Sequence, residues 1–192
     1  MKYEISEDVN KIRNAAEQGD MIAEYDLGMC LLSGEGVTRD DEEAVKWLKK
    51  SAEQGFSGAQ HELGMCLLSG KGVKQDDVEA VRWFEKAAEQ GDAYAQYELS
   101  SCFFEGRGVT QDDEEAVAWL KEAAEQGHTA AQYDLGVCFR DGTVVQKNDK
   151  EAVKWFKKAA ENGDTDAQHA LSSCLLDGKG IEQDEQKAGK NG

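Results

Sequence analysis

The stretch that decides the fold is SGEGVTRDDEEAVKW, residues 33–47. Each part of it has a chemical reading. The Gly-x-Gly at Gly34 and Gly36 suits a phosphate cradle, the acids Asp40, Asp41, Glu42 and Glu43 suit a metal, and Trp47 suits a ligand cap. The stretch then returns as SGKGVKQDDVEAVRW at 69–83, EGRGVTQDDEEAVAW at 105–119 and a looser DGTVVQKNDKEAVKW at 141–155. Trp47, Trp83, Trp119 and Trp155 are spaced by 36 residues, as are Cys30, Cys66, Cys102, Cys138 and Cys174. Features that recur at a fixed period belong to a unit that stacks on its neighbours, and a single active site would not repeat them.

One unit explains the pattern. In DAYAQYELSSCFFE, Ala95, Leu99, Cys102 and Phe103 fall at i, i+4, i+7 and i+8, the spacing of one helical face. This predicts an amphipathic helix A, which Gly106 ends and after which Gly108 lets the chain reverse. Asp112 as N-cap with Glu115 three residues on predicts a capping box, repeated by Asp40 with Glu43, Asp76 with Glu79 and Asn148 with Glu151. The acids complement the positive end of the helix, and Lys49, Lys50, Lys157 and Lys158 complement the negative end. Helix B, DDEEAVAWLKEAAEQG, is expected to bury Ala116, Val117, Leu120 and Ala123 or Ala124 before Gly127. The short loops make the two helices antiparallel neighbours.

The expected architecture is all-α, one continuous solenoid of 36-residue antiparallel hairpins. Residues 1–19 form an N-terminal capping helix, with ISEDVNKIRNAAEQ matching a helix B in which Lys11 replaces the tryptophan. Repeats follow at 20–55, 56–91, 92–127 and 128–163, with a partial repeat and tail at 164–192, where GIEQDEQKAGKNG starts like a helix B and loses its apolar residues after Ala188.

Composition narrows the function. A formal net charge of −17, from 22 Lys and Arg against 39 Asp and Glu, repels phosphates and disfavours nucleic acid as a partner, while favouring basic ones. The sequence carries neither a long apolar run nor an apolar leader, so no membrane insertion and a cytoplasmic location are expected. One cysteine per repeat reads as a reduced, buried small hydrophobe, because equivalent positions of stacked helices are too far apart for disulfides. No CxxC pair supports a zinc site.

The units AEQGFSGAQHELGMCLLSGKGVKQDDVEAVRWFEK and AEQGDAYAQYELSSCFFEGRGVTQDDEEAVAWLKE resemble Sel1-like repeats, relatives of tetratricopeptide repeats with a longer hairpin loop. The A-E-Q-G, A-Q-Y-x-L-G, G-x-G-V and D-x-x-E-A-V-x-W signatures carry the likeness across about residues 5–188. Departures are Val144 at the second loop glycine, Ser100 and Ser172 at the helix A glycine, and Lys187 at the capping glutamate. The resemblance implies a right-handed α/α superhelix used as a scaffold or adaptor for other proteins, with helix A lining its concave face.

On that face the candidate partner-binding ribbon runs through Tyr25, Met29, Leu32, His61, Met65, Leu68, Tyr97, Phe104, Tyr133 and Arg140. Aromatic side chains and Met are common in recognition surfaces, although these rings could equally pack adjacent A helices together. Beside it, Asp26, Glu62, Glu98 and Asp134 form an acidic column suited to a basic peptide or to a solvated face. Catalytic readings are weak. Ser57 and His61 in GFSGAQH lack the strand that would make a nucleophile elbow. No Ser-x-x-Lys supports the β-lactam-associated hydrolysis of some cysteine-rich relatives. His61, His128 and His169 are dispersed, so neither a metal nor a cofactor is expected. The resulting expectation is a non-catalytic, monomeric scaffold that binds a protein or peptide, with a hydrolase or a consensus-like array without a partner as the alternatives.

Overall fold

A computed structural model of the chain describes residues 7–178 and Gly180. The described residues form ten α-helices and no strands. They are α1 (Glu7–Glu17), α2 (Met21–Ser33), α3 (Asp41–Glu53), α4 (Ser57–Ser69), α5 (Asp77–Glu89), α6 (Ala93–Glu105), α7 (Asp113–Glu125), α8 (Thr129–Asp141), α9 (Asp149–Glu161) and α10 (Thr165–Leu176). Helices α2, α4, α6, α8 and α10 are the A helices, and α1, α3, α5, α7 and α9 the B helices. The expected start of a further helix B after Gly180 lies outside the described residues. The chain divides into two compact units, Met1–Trp119 and Leu120–Gly192. Within the first, each helix from α1 to α6 packs on the next; within the second, α8 packs on α9 and α9 on α10.

Local chemistry sets the helix ends. Gly106 takes a left-handed conformation, φ 66°, and its N–H donates to the Cys102 carbonyl, closing α6. The N-cap side chains of Asp40, Asp76, Asp112 and Asn148 each accept from the backbone N–H three residues on. The other half of the expected capping box is replaced. Each N-cap N–H donates instead to an A-helix carbonyl, Asp40 to Leu31, Asp76 to Leu67, Asp112 to Phe103 and Asn148 to Phe139. The loop is thereby clasped to helix A, and the glutamate is released for other work: Glu43 accepts from Arg13 at 2.6 Å and from the Trp47 indole at 3.2 Å.

The core follows the helical face read from the sequence. Ala95, Leu99 and Cys102 are buried, as are Ala116, Val117, Leu120 and both Ala123 and Ala124. The helix A glycines set how closely A and B approach. A Cβ added at Gly64 would lie 2.5 Å from Phe84 Cε1, and one at Gly136 would lie 2.7 Å from Phe156 Cδ1. The second loop glycine has a role beyond the chain reversal. A Cβ at Gly72 would collide with the Asp41 carbonyl, and one at Gly108 with the Asp77 carbonyl, so this glycine seats the loop on helix B of the preceding repeat.

The glutamines of A-E-Q-G and A-Q join repeat to repeat. Gln60 and Gln96 are buried and donate to the carbonyls of Ala52 and Ala88 at 3.2 Å, and Gln132 donates to Ala124 at 3.1 Å. Gln60 also accepts from Gln90 at 2.7 Å, and Gln132 from Asn162 at 3.0 Å. These bonds satisfy polar groups that helix stacking removes from water.

The cysteine expectation is corrected in part. All five are free thiols, but only Cys66, Cys102 and Cys174 are buried, while Cys30 and Cys138 are half-buried. Burial pushes the Cys66 and Cys102 thiols up to about 11, foremost by desolvation of the thiolate.

Candidate functional site

The A helices carry the predicted ribbon in two sets. In the first unit α2 supplies Tyr25, Asp26 and Met29, α4 supplies His61, Glu62, Met65 and Leu68, and α6 supplies Tyr97, Glu98 and Phe104. In the second, α8 supplies Tyr133, Asp134 and Arg140. Spacings of four and seven residues put these side chains along one side of each helix. Leu32 departs from the expectation. It is only 9% exposed and belongs to the core, because α2 turns it inward beside Leu31.

The remaining apolar members are half-buried, and for three of them ring contacts cover one side. Tyr25 meets Phe56 edge-on, with centroids 5.0 Å apart. His61 lies 6.0 Å from both Phe84 and Tyr94. Tyr133 lies 5.8 Å from Phe156, over which the Arg140 guanidinium also rests at 5.8 Å. Of these contacts only that of His61 with Tyr94 joins adjacent A helices; Tyr25 packs on the residue that precedes α4 and Tyr133 on helix B α9, and each of the three keeps part of its surface open. Arg140 is further held by two hydrogen bonds to Asp141, of 2.7 and 2.9 Å.

The acidic column is less solvated than a charged helix face would be. Asp26 is exposed, whereas Glu62, Glu98 and Asp134 are half-buried. Burial raises the Glu98 carboxyl above the usual range, against the opposing pull of His61 and Arg107. Burial, then the carboxylates of Glu62, Asp26 and Asp92, raise the Tyr25 phenol. The surface is thus apolar with a negative field across it.

On this surface the first unit opens a shallow depression of about 430 Å³ between α1 and α2, lined by Ile12, Tyr25, Asp26, Met29, Cys30, Ser33 and Glu35. Tyr25, Asp26 and Met29 were expected there from the sequence, and Ile12, Ser33 and Glu35 were not. A usable signal was present, because the loop position of Glu35 is occupied by Lys71, Arg107 and Thr143 in the next three repeats.

The His61 ring turns Nδ1 toward Glu62 Oε1 at 3.6 Å, and among the described residues no hydrogen bond joins Ser57 to it. Among the described residues no three His, Cys, Asp or Glu side chains converge on a point that could hold a metal. No described helix is long and apolar enough to cross a membrane.

The family model of the Sel1 repeat matches residues 22–56, 57–92, 93–128, 129–164 and 165–190. No curated protein matches the chain. Among solved structures, a protective antigen present in uropathogenic Escherichia coli strains, displaying an SLR fold, is 42% identical with a TM-score of 0.85, over 90% of this chain and 37% of that one. A Sel1 repeat protein from Oxalobacter formigenes is 36% identical with a TM-score of 0.87, over 94% of this chain and 52% of that one. The chain thus spans about a third to a half of the length of these two relatives. Cysteine rich protein B of Helicobacter pylori, 22% identical with a TM-score of 0.55 over 65% of this chain and 92% of that one, shares the fold alone. The hairpins, the clasped loops and the five consecutive matches together make this chain a member of the Sel1 repeat family, whose repeats are in general protein-interaction modules and in general non-catalytic.

Proposed function

We propose that this chain is a non-catalytic scaffold of the cytoplasm that binds a partner protein or peptide on the open side of its A helices. The observation that carries this reading is the half-buried strip of Tyr25, Met29, His61, Met65, Leu68, Tyr97 and Phe104, edged by the carboxylates of Asp26, Glu62 and Glu98. Core packing accounts for only one side of these rings. Large amphipathic rings and a thioether at a surface supply contact area with little loss of conformational freedom on binding. The carboxylates beside them select basic partners and steer their approach, an effect that added salt weakens.

The test is affinity capture from cells that express the chain, comparing wild type with a Tyr25→Ala, Tyr97→Ala, Tyr133→Ala variant whose helicity is verified by circular dichroism. The expected outcome is a partner retained by the wild type and lost by the folded variant. Equal retention by both would move the binding surface to the B helices or loops and overturn the reading.

A further inference from the structure

We propose that the depression between α1 and α2 is a receptor site for a lysine or arginine side chain of the partner, with its cation held by Asp26 and Glu35. This anchor rests on the scaffold reading above and gives that surface a defined point of attachment.

The next two repeats show what distinguishes the first. At the loop position of Glu35, the second repeat has Lys71 and the third has Arg107. Both turn back onto the repeat before them. Lys71 Nζ lies 3.9 Å from Asp41 Oδ1, while Arg107 Nε lies 3.3 Å from Asp77 Oδ2 and its terminal nitrogen donates to the Leu68 carbonyl at 2.6 Å. Arg107 also counters the field on Glu98, the third-repeat member of the acidic column. In the third repeat the chain's own loop thus brings a cation to the acidic side of helix A, and in the second it brings one to helix B of the repeat before it.

The first repeat reverses this. Glu35 adds a carboxylate where the others bring a cation, and both it and Asp26 are exposed. The nearest cations of α1 are committed elsewhere, Lys11 to Glu7 and Asp8, and Arg13 to Glu43 at 2.6 Å. Among the described residues neither Asp26 nor Glu35 forms an ion pair. Both carboxylates line the same depression as Cys30, and after burial they are the largest influences raising its thiol.

Beneath these two charges lies an apolar floor. Ile12, Tyr25 and Met29 line the 430 Å³ depression with Cys30 and Ser33. A lysine or arginine side chain has the matching two-part chemistry, an aliphatic stem that buries on such a floor and a cationic head that stays with carboxylates at the rim. A purely apolar side chain would leave both carboxylates without a counter-charge, and an acidic one would be repelled.

The probe is a pair of capped hexapeptides, Ala-Leu-Arg-Ala-Leu-Ala and the same peptide with norleucine in place of arginine, titrated at millimolar concentration into the isotopically labelled full chain. The expected result is shifts of the backbone amides of Cys30, Ser33 and Glu35 and of the Ile12 methyls with the arginine peptide alone. Glu35→Lys, at an exposed loop position, is expected to weaken that binding by roughly fivefold or more, since it exchanges an attraction for a repulsion. No shifts, equal shifts with norleucine, or undiminished binding by Glu35→Lys would each overturn the proposal. If any of these occurs while the Tyr variant still loses its captured partner, the anchor is wrong and the scaffold reading stands. If the peptide result holds but capture is unaffected by the Tyr changes, the depression binds cations and the wider ribbon does not bind the partner.

Discussion

Glu24 is the residue at which this array departs most informatively from its own pattern. It is 4% exposed and occupies the position of Gln60, Gln96 and Gln132. Those glutamines donate to a carbonyl eight residues earlier, as Gln60 does to Ala52 at 3.2 Å, and Gln60 and Gln132 also accept from a neighbour. Glu24 keeps the accepting half, taking a hydrogen bond from Gln54 at 2.6 Å, but a carboxylate has no N–H to donate. Glu24→Gln is therefore expected to raise stability by about 1 kcal/mol, by adding one buried hydrogen bond and removing a poorly solvated charge. Urea unfolding should show a higher midpoint with an unchanged slope; a lower midpoint would mean that the carboxylate is the better partner for Gln54. The glutamines recur in the sequence, but their partners could not be read from it. Each bond joins residues 8 or 30 positions apart, a geometry that only stacked helices create.

At the scale of the element, the hairpin was largely legible and the contact between its helices was not. Apolar spacing, Asp or Asn N-caps and terminal glycines are local signals, and α2 to α10 follow them except at the starts of α4 and α8, where Phe56 and His128 stand in that place. What the glycine at the middle of helix A does depends on the ring opposite. Gly64→Ala places a methyl group 2.5 Å from Phe84 Cε1. The variant is expected to lose about 1–3 kcal/mol through overpacking. Phe84→Leu in the same chain should recover only part of the loss, since a Cβ added at Gly28, which faces Leu48, would still lie 2.8 Å from Leu48 Cγ. A neutral Gly64→Ala variant in thermal unfolding would show that α4 and α5 can separate without cost. The cap exchange has the same character. Asp40 was readable as an N-cap, but the destination of its N–H, the Leu31 carbonyl, was set by the approach of the loop to α2.

At the scale of the whole molecule, helices within each unit pack on their neighbours in sequence, so energetic coupling should be local. Leu27 and Leu99 are both fully buried and lie in the first and third repeats of the same unit. Each Leu→Ala change is expected to cost on the order of 2–5 kcal/mol, and the double variant should match the sum within about 0.5 kcal/mol. A double-mutant cycle from chemical unfolding measures this, and a larger coupling would mean that the second repeat transmits packing strain. The candidate surface divides along the same line. Tyr25, Asp26 and Met29 were found from their columns, because the 36-residue period is written in the sequence and puts equivalent residues on equivalent faces. Leu32 was misplaced because a column does not say how deeply a helix is seated in its neighbours. The depression was missed because Ile12 and Glu35 are 23 residues apart and come to line one depression only when α1 packs against α2. The sequence by itself determined the repeat, its helices and their ends, since these depend on interactions within a few turns of chain. Only the tertiary structure decided which side chains are buried, which glutamines bridge the repeats and where a concavity opens, since these depend on distances between helices that no local pattern encodes.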